Sequence, residues 1–285
     1  MRSSHQALLT LLYHARSLDE DRLMVVACLM RSQLLTDDEP FYEVLMVHGR
    51  PWSFSLHHDL GKLADAGWLS LHDGLVAAGP LLKQSTSAQR ASWALAGTLP
   101  RWWRSVQRLS PATLRTQCPK PGPGVGAQRG RRATAATPTV MTAGYQGLSV
   151  EAFLGRLLHA GVTLLIDVRA NPTARRFGFH RSTLERCCQA VGIRYEHVPE
   201  LGIGTDKRRD QTTPAQRQQL FRTYAQSVVA THAQALGVVT SWVRDEPAVL
   251  VCMEADPMDC HRTHLGRLIS ATLDRALIDL GTGTT

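Results

Sequence analysis

The clearest pattern of apolar and polar positions lies in the C-terminal half of the chain. Val162–Val168 and Ala248–Met253 are apolar runs, as expected of strands buried on both faces of a sheet. Such runs alternate with segments in which apolar residues recur at helical spacing. The alternation predicts a Rossmann-like α/β domain, with a mostly parallel sheet, right-handed crossovers and helices on both faces. Its other predicted elements are strands Val140–Ala143 and Arg194–Val198 and helices Ser149–Ala160, Ser182–Val191, one or two within Thr213–Val239, and His261–Leu273.

The first 96 residues predict a mainly helical domain that ends in a small hairpin. Ser53–Gly67 is its clearest helix, because Leu56, Leu60 and Leu63 fall on one face. Trp68–Val76 then alternates like two short strands, with Asp73-Gly74 suited to the turn between them. Helices are also predicted at Gln6–Tyr13, at Asp21–Leu29, and after the acidic stretch that leads from Asp37 into Pro40.

Helices followed by one more helix and a hairpin resemble the winged helix-turn-helix domains of bacterial regulators. The resemblance implies that Ser53–Gly67 is the recognition helix. The groups on it that favour DNA are His57, His58 and Lys62, and they lie beside Asp59 and Asp65. This charge balance argues against strong DNA binding by the domain alone, so a protein-binding role stays open.

The excess positive charge of the chain is concentrated between the two domains. The formal net charge is +8, and residues 97–138 contain eight basic and no acidic side chains. Such a block favours contact with a polyanion such as nucleic acid, although a solubilising linker would have similar charge. Pro111–Pro138 is predicted to be a flexible linker, since it is rich in Pro, Gly and Ala and has no apolar periodicity. The arginines of the block that we expect to contact DNA are Arg101, Arg104, Arg108, Arg129, Arg131 and Arg132.

Trp93–Leu109 is predicted to be an amphipathic helix that packs its tryptophans on the N-terminal domain, with its arginines on the opposite face. The predicted organisation is therefore a winged-helix-like domain at 1–96, a basic helix and linker at 97–138, and an α/β domain at 139–285. No apolar run approaches the length of about 18 residues that a membrane span needs, and Met1–Gln6 lacks a secretory signal. Six cysteines in 285 residues, two of them adjacent at Cys187-Cys188, fit a reducing compartment. A soluble, cytoplasmic protein without a membrane partner is expected.

Polar residues follow two of the predicted strands of the α/β domain, where ligands bind parallel sheets. One strand leads into Asp167-Val-Arg169-Ala-Asn171-Pro172, and another into Cys252-Met-Glu254 with Cys260-His261-Arg262 beyond it. Tyr145 and Gln146, which follow the first strand, are expected at the same edge.

These motifs resemble those of the domain of unknown function 488 family over about half of the chain, from Thr142 to Leu273. The resemblance also includes Arg175-Arg176 before Phe179, Tyr195-x-His197-x-Pro199-x-Leu201-Gly202, and Tyr224-Ala225. Gln146 departs from the small or hydroxyl residue expected after Tyr145. The family name gives no chemistry, so the resemblance implies the fold and the location of a site but no reaction.

The residue types at this edge suit a nucleotide-like substrate. Asp167 and Glu254 are predicted to form a carboxylate pair for acid–base or nucleophilic chemistry. Tyr145 or Phe179 would stack on a base. Gln146, Asn171 and Cys260 complete the predicted substrate-binding set. The side chains predicted to bind phosphates are those of Arg169, Arg175, Arg176 and Arg262. The alternative is an ion-pair network, Asp167–Arg262 or Glu254–Arg169, that only fixes the strand ends.

Cys252, Cys260 and His261 raise the question of a metal. We expect none, because the sequence offers only three ligands, one of which lies inside a buried strand. Cys260 could instead act as a thiolate nucleophile, because His261, Arg262 and a helix N-terminus could lower the pKa of its thiol, and His261 is predicted to be catalytic. Packing of Cys260 under the helix is the favoured interpretation. No cofactor is expected, because dinucleotide and nucleoside-triphosphate loops, GxGxxG and GxxxxGK[ST], are missing from the sequence.

Two hypotheses follow. In the first, the protein is an enzyme that acts on double-stranded DNA with an extruded base, most simply a DNA glycosylase that hydrolyses the N-glycosidic bond of an unusual or modified base. In the second, it is a DNA-binding transcriptional regulator whose α/β domain senses a nucleotide-like ligand without turnover.

Overall fold

A computed structural model of the chain describes residues 1–36, 39–118, 139–204 and 213–281. Its contacts divide the chain into two units, Met1–Gly122 and Pro123–Thr285. Among the described residues no helix combines the length and apolar character that crossing a membrane requires.

The N-terminal unit is mainly helical, with a three-stranded antiparallel sheet in the order β1-β5-β4. Local signals start and end its elements as the sequence predicts. The Ser53 hydroxyl accepts from the Leu56 amide at the start of α3, and the hairpin turns through positive φ at Asp73 and Gly74. The helices are α1 (Ser3–Ala15), α2 (Glu20–Leu34), α3 (Phe54–Asp65), α4 (Pro80–Gln84), α5 (Ser87–Ala91), α6 (Leu99–Val106) and α7 (Pro111–Gln117), and the strands are β1 (Ser17–Asp19), β2 (Leu45–Val47), β3 (Arg50–Trp52), β4 (Leu69–His72) and β5 (Leu75–Ala78).

Two predictions for this unit are wrong. The helix expected after Pro40 does not form; the chain makes the short hairpin β2–β3, which turns through positive φ at His48 and Gly49. Acidic and proline start signals were present, but no apolar helical period followed them. The linker does not begin at Pro111, because Ser110 caps α7 and Leu114 is fully buried against the N-terminal core. The rest of the predicted linker, residues 119–138, lies outside the described residues.

The N-terminal unit also extends beyond residue 96. Trp103 and Leu99 of α6 join the same core as α1 and α2, as the amphipathic pattern predicts for the tryptophans. The N-terminal unit therefore includes α6, which the sequence assigns to a separate basic segment. Its assignment to the winged-helix class stays a prediction.

The C-terminal unit confirms the predicted α/β class. Its sheet is parallel throughout the described residues, in the order β10-β6-β9-β7-β8. The strands are β6 (Val140–Gly144), β7 (Leu164–Asp167), β8 (Arg194–His197), β9 (Ala248–Cys252) and β10 (Leu277–Asp279), and the helices are α8 (Val150–His159), α9 (Arg181–Ala190), α10 (Pro214–Thr231), α11 (Ala233–Asp245) and α12 (His261–Leu273). The edge strand β10 is the element that the sequence did not predict.

The sheet is buried on both faces, as its apolar strands require. Ile166 and Leu250 face α10, α11 and α12 and share one core with them. Their neighbours Leu165 and Val249 are also fully buried but lie outside that core, because successive side chains of a strand point to opposite faces. Burial on both faces leaves the strand ends as the place where polar side chains can gather.

Candidate functional site

Four neighbouring strands end close to one level of the sheet. Asp167 of β7 pairs with Val251 of β9 and with His197 of β8, and Gly144 of β6 pairs with Cys252. The residues that follow these strands therefore meet at one edge, as predicted. The structure shows two clusters there, one around Asp167 and one around Cys252.

Asp167 and Arg169 form a buried ion pair with each other. The guanidinium of Arg169 donates from Nε to Asp167 Oδ1 at 2.8 Å and from Nη2 to Oδ2 at 2.5 Å, and the backbone amide of Arg169 donates to Oδ1 at 3.1 Å. The hydroxyl of Tyr195 donates to Oδ2 at 2.7 Å. Asp167 is fully buried and Arg169 is 5% exposed.

This network uses the polar groups of Asp167 and Arg169 within the protein, as expected of a pair that stabilises the strand end. Burial would lower the pKa of Arg169, but the hydrogen bonds and negative charge of Asp167 outweigh it and raise that pKa. Burial and the charge of Asp167 raise the pKa of Tyr195, so its hydroxyl stays a donor. The predicted catalytic role of Asp167 and phosphate role of Arg169 are not supported, because their hydrogen-bonding groups face each other and the core. An ion-pair network does fix the strand end, but with different partners from those predicted.

The two aromatic residues predicted to stack on a base stack on each other. The rings of Tyr145 and Phe179 are 4.1 Å apart and nearly parallel, and the two residues are 4% and 0% exposed. The Tyr145 hydroxyl accepts from Arg169 Nη1 at 2.6 Å, and the same nitrogen donates to the Phe179 carbonyl at 2.9 Å. Both rings are therefore part of the core in the described structure, and neither is placed to receive a base.

The second cluster brings together Cys252, Cys260, His261 and Glu254. The thiols of Cys252 and Cys260 donate to the same carboxylate oxygen, Glu254 Oε2, at 2.9 and 3.0 Å. His261 Nδ1 lies 3.7 Å from the Cys252 sulfur and 3.9 Å from the Cys260 sulfur. Cys252, Cys260 and His261 are buried, whereas Glu254 is half-buried. The structure bears out the count of three possible ligands, Cys252, Cys260 and His261. It removes the other reason for expecting no metal, because the buried position of Cys252 at the end of β9 does not keep its sulfur away from the other two.

Burial keeps the Cys260 thiol protonated in this arrangement. Desolvation raises its pKa well above the ordinary value, helped by Cys252 and Glu254 and opposed by Arg262. The predicted lowering of this pKa by His261 is wrong, because the imidazole cannot offset the loss of water around a fully buried sulfur.

Arg262 positions the loop that carries Glu254. It is completely buried, and its Nη1 donates to the Glu254 carbonyl at 2.6 Å. Its Nε and Nη2 donate to Asp279 of β10 at 3.2 and 3.1 Å. The predicted phosphate role is therefore not supported, because the guanidinium joins the site loop to the edge strand.

Gly144 allows that loop to approach the sheet closely. A Cβ atom built on Gly144 would lie 1.9 Å from the Glu254 carbonyl oxygen. Only glycine leaves room for this backbone contact.

The remaining predicted substrate-binding residues are exposed at or near this edge. Gln146 accepts from the Ala255 amide at 3.1 Å and so also supports the Glu254 loop. Asn171, Arg175 and Arg176 are exposed in the segment between β7 and α9, where a ligand could reach them.

Sequence reasoning gave no role to Tyr195, His197 or Asp279. His197 Nε2 lies 2.8 Å from the Arg169 carbonyl, so it supports the backbone after β7. Tyr195 and His197 belong to the motif Tyr195-x-His197-x-Pro199, which lies at the end of a predicted strand. That motif was the signal that could have identified them as site residues. Asp279 carried no such signal, because its strand was not predicted.

In the N-terminal unit the predicted DNA-binding residues differ in how accessible they are. On α3, Lys62 is exposed and His58 is half-buried, but His57 pairs with Glu20 at 2.5 Å and its ring lies 5.3 Å from that of Trp52. On and just after α6, three arginines are exposed opposite the buried Trp103: Arg101, Arg104 and Arg108. Arg129, Arg131 and Arg132 lie outside the described residues.

Residues 149–269 match a family model described as Domain of unknown function DUF488. The match lies within the α/β unit and overlaps the motifs from Thr142 to Leu273 that indicated the resemblance. Comparison with curated proteins gives no match. Comparison with solved structures gives none either.

Proposed function

We propose that this protein is a DNA-acting hydrolase whose reaction takes place beside Glu254, at the carboxyl end of β9. The observation that carries the proposal is the position of this carboxylate. Of the two predicted catalytic carboxylates, Asp167 is fully buried and ion-paired, whereas Glu254 is half-buried and at the strand-end edge where parallel sheets bind ligands.

The bond that we propose is the N-glycosidic bond of an unusual or modified base. Departure of the base leaves an oxocarbenium-like sugar, which a water molecule attacks at C1′. Glu254 accepts a proton from that water as the new C–O bond forms, and the departing base takes up a proton from solvent. Because such chemistry is impossible inside a stacked duplex, the base must be extruded toward this edge. The exposed Arg175 and Arg176 would contact the phosphates that flank it.

We assign the main DNA contact of the N-terminal unit to the exposed face of α6 and not to α3. Arg101, Arg104 and Arg108 lie together on that face, whereas the His57 ring of α3 is engaged by Glu20. Each phosphate contact that is lost reduces the salt-dependence slope of DNA binding by about 0.9. Replacing all three arginines with alanine should therefore reduce the slope by about 2 to 3.

A matched triple variant separates a contact from a general charge effect. Arg186, Arg222 and Arg244 are also exposed but belong to the α/β unit. Their replacement with alanine removes the same three charges and should leave the slope nearly unchanged. Equal slopes for the two triple variants would reject the assignment to α6.

The catalytic test is an abasic-site and strand-break assay on a panel of normal and modified DNA duplexes. Wild type should form alkali-labile sites on at least one substrate, and Glu254→Gln should lose at least about 100-fold of that rate, the usual contribution of a general base. Asp259→Asn is the matched control. It removes an exposed carboxylate of the same loop, whose ion pair with Arg217 at 3.3 Å contributes little.

Three outcomes would count against this mechanism. Full activity in Glu254→Gln would remove the proposed role of the carboxylate, and equal loss in Asp259→Asn would show a general disturbance of the loop. Tight binding to one short palindrome without product would favour the alternative, a regulator whose α/β domain binds a nucleotide-like ligand.

A further inference from the structure

The cluster at the end of β9 has the composition of a metal site. Two cysteines and a histidine converge from the end of β9 and the start of α12, although they are spread over residues 252 to 261. The two sulfurs and the His261 Nδ1 atom all lie within 4.8 Å of one another. Thiolate and imidazole ligands together select zinc and related transition metals over magnesium or calcium.

The distances fit a tetrahedral centre with little movement. Zinc–sulfur bonds of about 2.3 Å and zinc–nitrogen bonds of about 2.0–2.1 Å place a sulfur and a nitrogen ligand about 3.6 Å apart at the tetrahedral angle. The observed separations from His261 Nδ1 are 3.7 Å to the Cys252 sulfur and 3.9 Å to the Cys260 sulfur. Shifts of a few tenths of an ångström would bring the imidazole nitrogen to this distance from both sulfurs.

His261 is oriented as a metal-binding histidine is. Its Nε2 lies 2.9 Å from the Val168 carbonyl oxygen, which can only accept a hydrogen bond. Nε2 therefore carries a proton, and in the tautomer that binds a metal the lone pair of Nδ1 would point toward the two sulfurs. A backbone carbonyl that fixes the ring in this way is the usual outer partner of a histidine ligand.

Glu254 lies beside these three residues and is not a member of their group. Its Oε2 is 2.9 and 3.0 Å from the two sulfurs, but the group whose ligand atoms all lie within 4.8 Å of one another consists of Cys252, Cys260 and His261. In this arrangement the thiols donate to the carboxylate, and a metal would replace the two thiol protons. Glu254 is also the residue of the cluster that solvent reaches, so the side of the three ligands that faces Glu254 is the side open to water.

We propose that Cys252, Cys260 and His261 bind a zinc-type divalent metal ion whose fourth position is open to water beside Glu254. This inference deepens the proposed hydrolase by naming its cofactor, and its role in the reaction rests on that function. With the metal bound, the Glu254 carboxylate would be the group beside the water in the fourth position. The metal would lower the pKa of that water, so Glu254 would remove its proton more readily. Binding of the metal itself is independent of any reaction on DNA.

The test measures metal in the intact chain without substrate. Purified wild type should contain close to one equivalent of zinc by elemental analysis. After removal of the metal with a chelator, titration with cobalt(II) should produce a thiolate-to-cobalt charge-transfer band and the intense visible bands of tetrahedral cobalt. Cys252→Ser and Cys260→Ser should lose the charge-transfer intensity, and Glu254→Gln should keep it with an affinity for cobalt at least about tenfold weaker.

Cys187→Ser is the matched control, because Cys187 is a buried cysteine of the same unit that lies outside the cluster. It should bind cobalt like wild type. Wild-type protein with less than a tenth of an equivalent of metal and no charge-transfer band after cobalt addition would overturn the proposal. A band of full strength in both Cys252→Ser and Cys260→Ser would overturn it as well. Glu254→Gln, whose changed side chain is half-exposed, keeps the test informative if a cysteine variant does not fold.

The two proposals fail separately. Stoichiometric metal in a protein that forms no product on any DNA would retain the metal site and reject the hydrolase. DNA cleavage at an unchanged rate by chelator-treated, metal-free protein would retain the hydrolase and reject the metal as its cofactor.

Discussion

Replacing Arg169 with methionine tests whether the Asp167 network is structural. Methionine has a similar length but removes the guanidinium, which supplies two of the four hydrogen bonds recorded to the Asp167 carboxylate. The carboxylate is fully buried, so the variant leaves a charge in the core with the Tyr195 hydroxyl and one backbone amide as its donors. Breaking a buried ion pair on one side costs roughly 3–5 kcal/mol.

The size of the effect can be measured locally, because the chain has two units and need not unfold in one step. Native-state hydrogen exchange followed by mass spectrometry reports the free energy of opening of each segment. A loss of about 3–5 kcal/mol corresponds to roughly 10²- to 10⁴-fold faster exchange. We expect this acceleration in peptides from β7 and β9, whereas peptides from α1 in the other unit should exchange as in wild type.

The double variant Asp167→Asn, Arg169→Met separates lost charge compensation from lost packing. Asparagine keeps an acceptor for Tyr195 but carries no charge, so the double variant should be more stable than Arg169→Met by about 2 kcal/mol or more. Amide exchange in Arg169→Met at a rate within tenfold of wild type would contradict a stabilising role for the ion pair. Faster exchange in the double variant than in Arg169→Met would contradict it as well.

Two further predictions concern a backbone contact and a thiol. Gly144→Ala should lower the melting temperature and weaken cobalt binding, because the new Cβ would lie 1.9 Å from the Glu254 carbonyl oxygen. Gly237→Ala is the control, because a Cβ at this position of α11 has open space around it. It should leave the melting temperature unchanged or raise it. Cys28 should be alkylated before Cys118 in native protein near neutral pH. The hydrogen bond between the two thiols lowers the pKa of Cys28 more than burial raises it, whereas the same hydrogen bond and burial both raise the pKa of Cys118. Peptide mass spectrometry after a short exposure to iodoacetamide decides the order, and earlier labelling of Cys118 would contradict it.

Helices and strands whose apolar residues form a regular pattern along the whole element were predictable from the sequence. Elements marked only by residues typical of a helix start were not. The leucines of Ser53–Gly67 and the apolar run Val162–Val168 each specify one face or one buried layer, and both form the expected elements. The stretch after Pro40 had start signals for a helix but no repeating apolar face to bury, so tertiary packing drew it into a hairpin instead. Strand β10 spans three residues, Leu277–Asp279, too few for alternation to be recognised.

The location of the site was predictable for a topological reason, whereas the partners of its side chains were not. Parallel strands bring their carboxyl ends to one edge, which placed the Asp167 and Cys252 motifs together. Two positions apart along a strand, Asp167 and Arg169 would share a face, but the strand ends at Asp167. The chain then turns so that Arg169 folds back onto the carboxylate through both its backbone amide and its guanidinium. No spacing rule predicts this, because it depends on how the backbone leaves the strand.

The position of Glu254 depends on residues far from it in sequence. Its carbonyl is held by Arg262, which is itself oriented by Asp279 of the unpredicted strand β10, and its backbone rests on Gly144 of β6. The Thr142 hydroxyl also donates to the Asp279 carboxylate at 2.5 Å, so β6 and β10 both support that acceptor. These contacts fix the main chain on each side of the carboxylate but leave its side chain half-exposed. A fixed backbone with a side chain that can move suits a carboxylate beside the proposed metal, because Glu254 could turn toward a bound water without the loop being displaced.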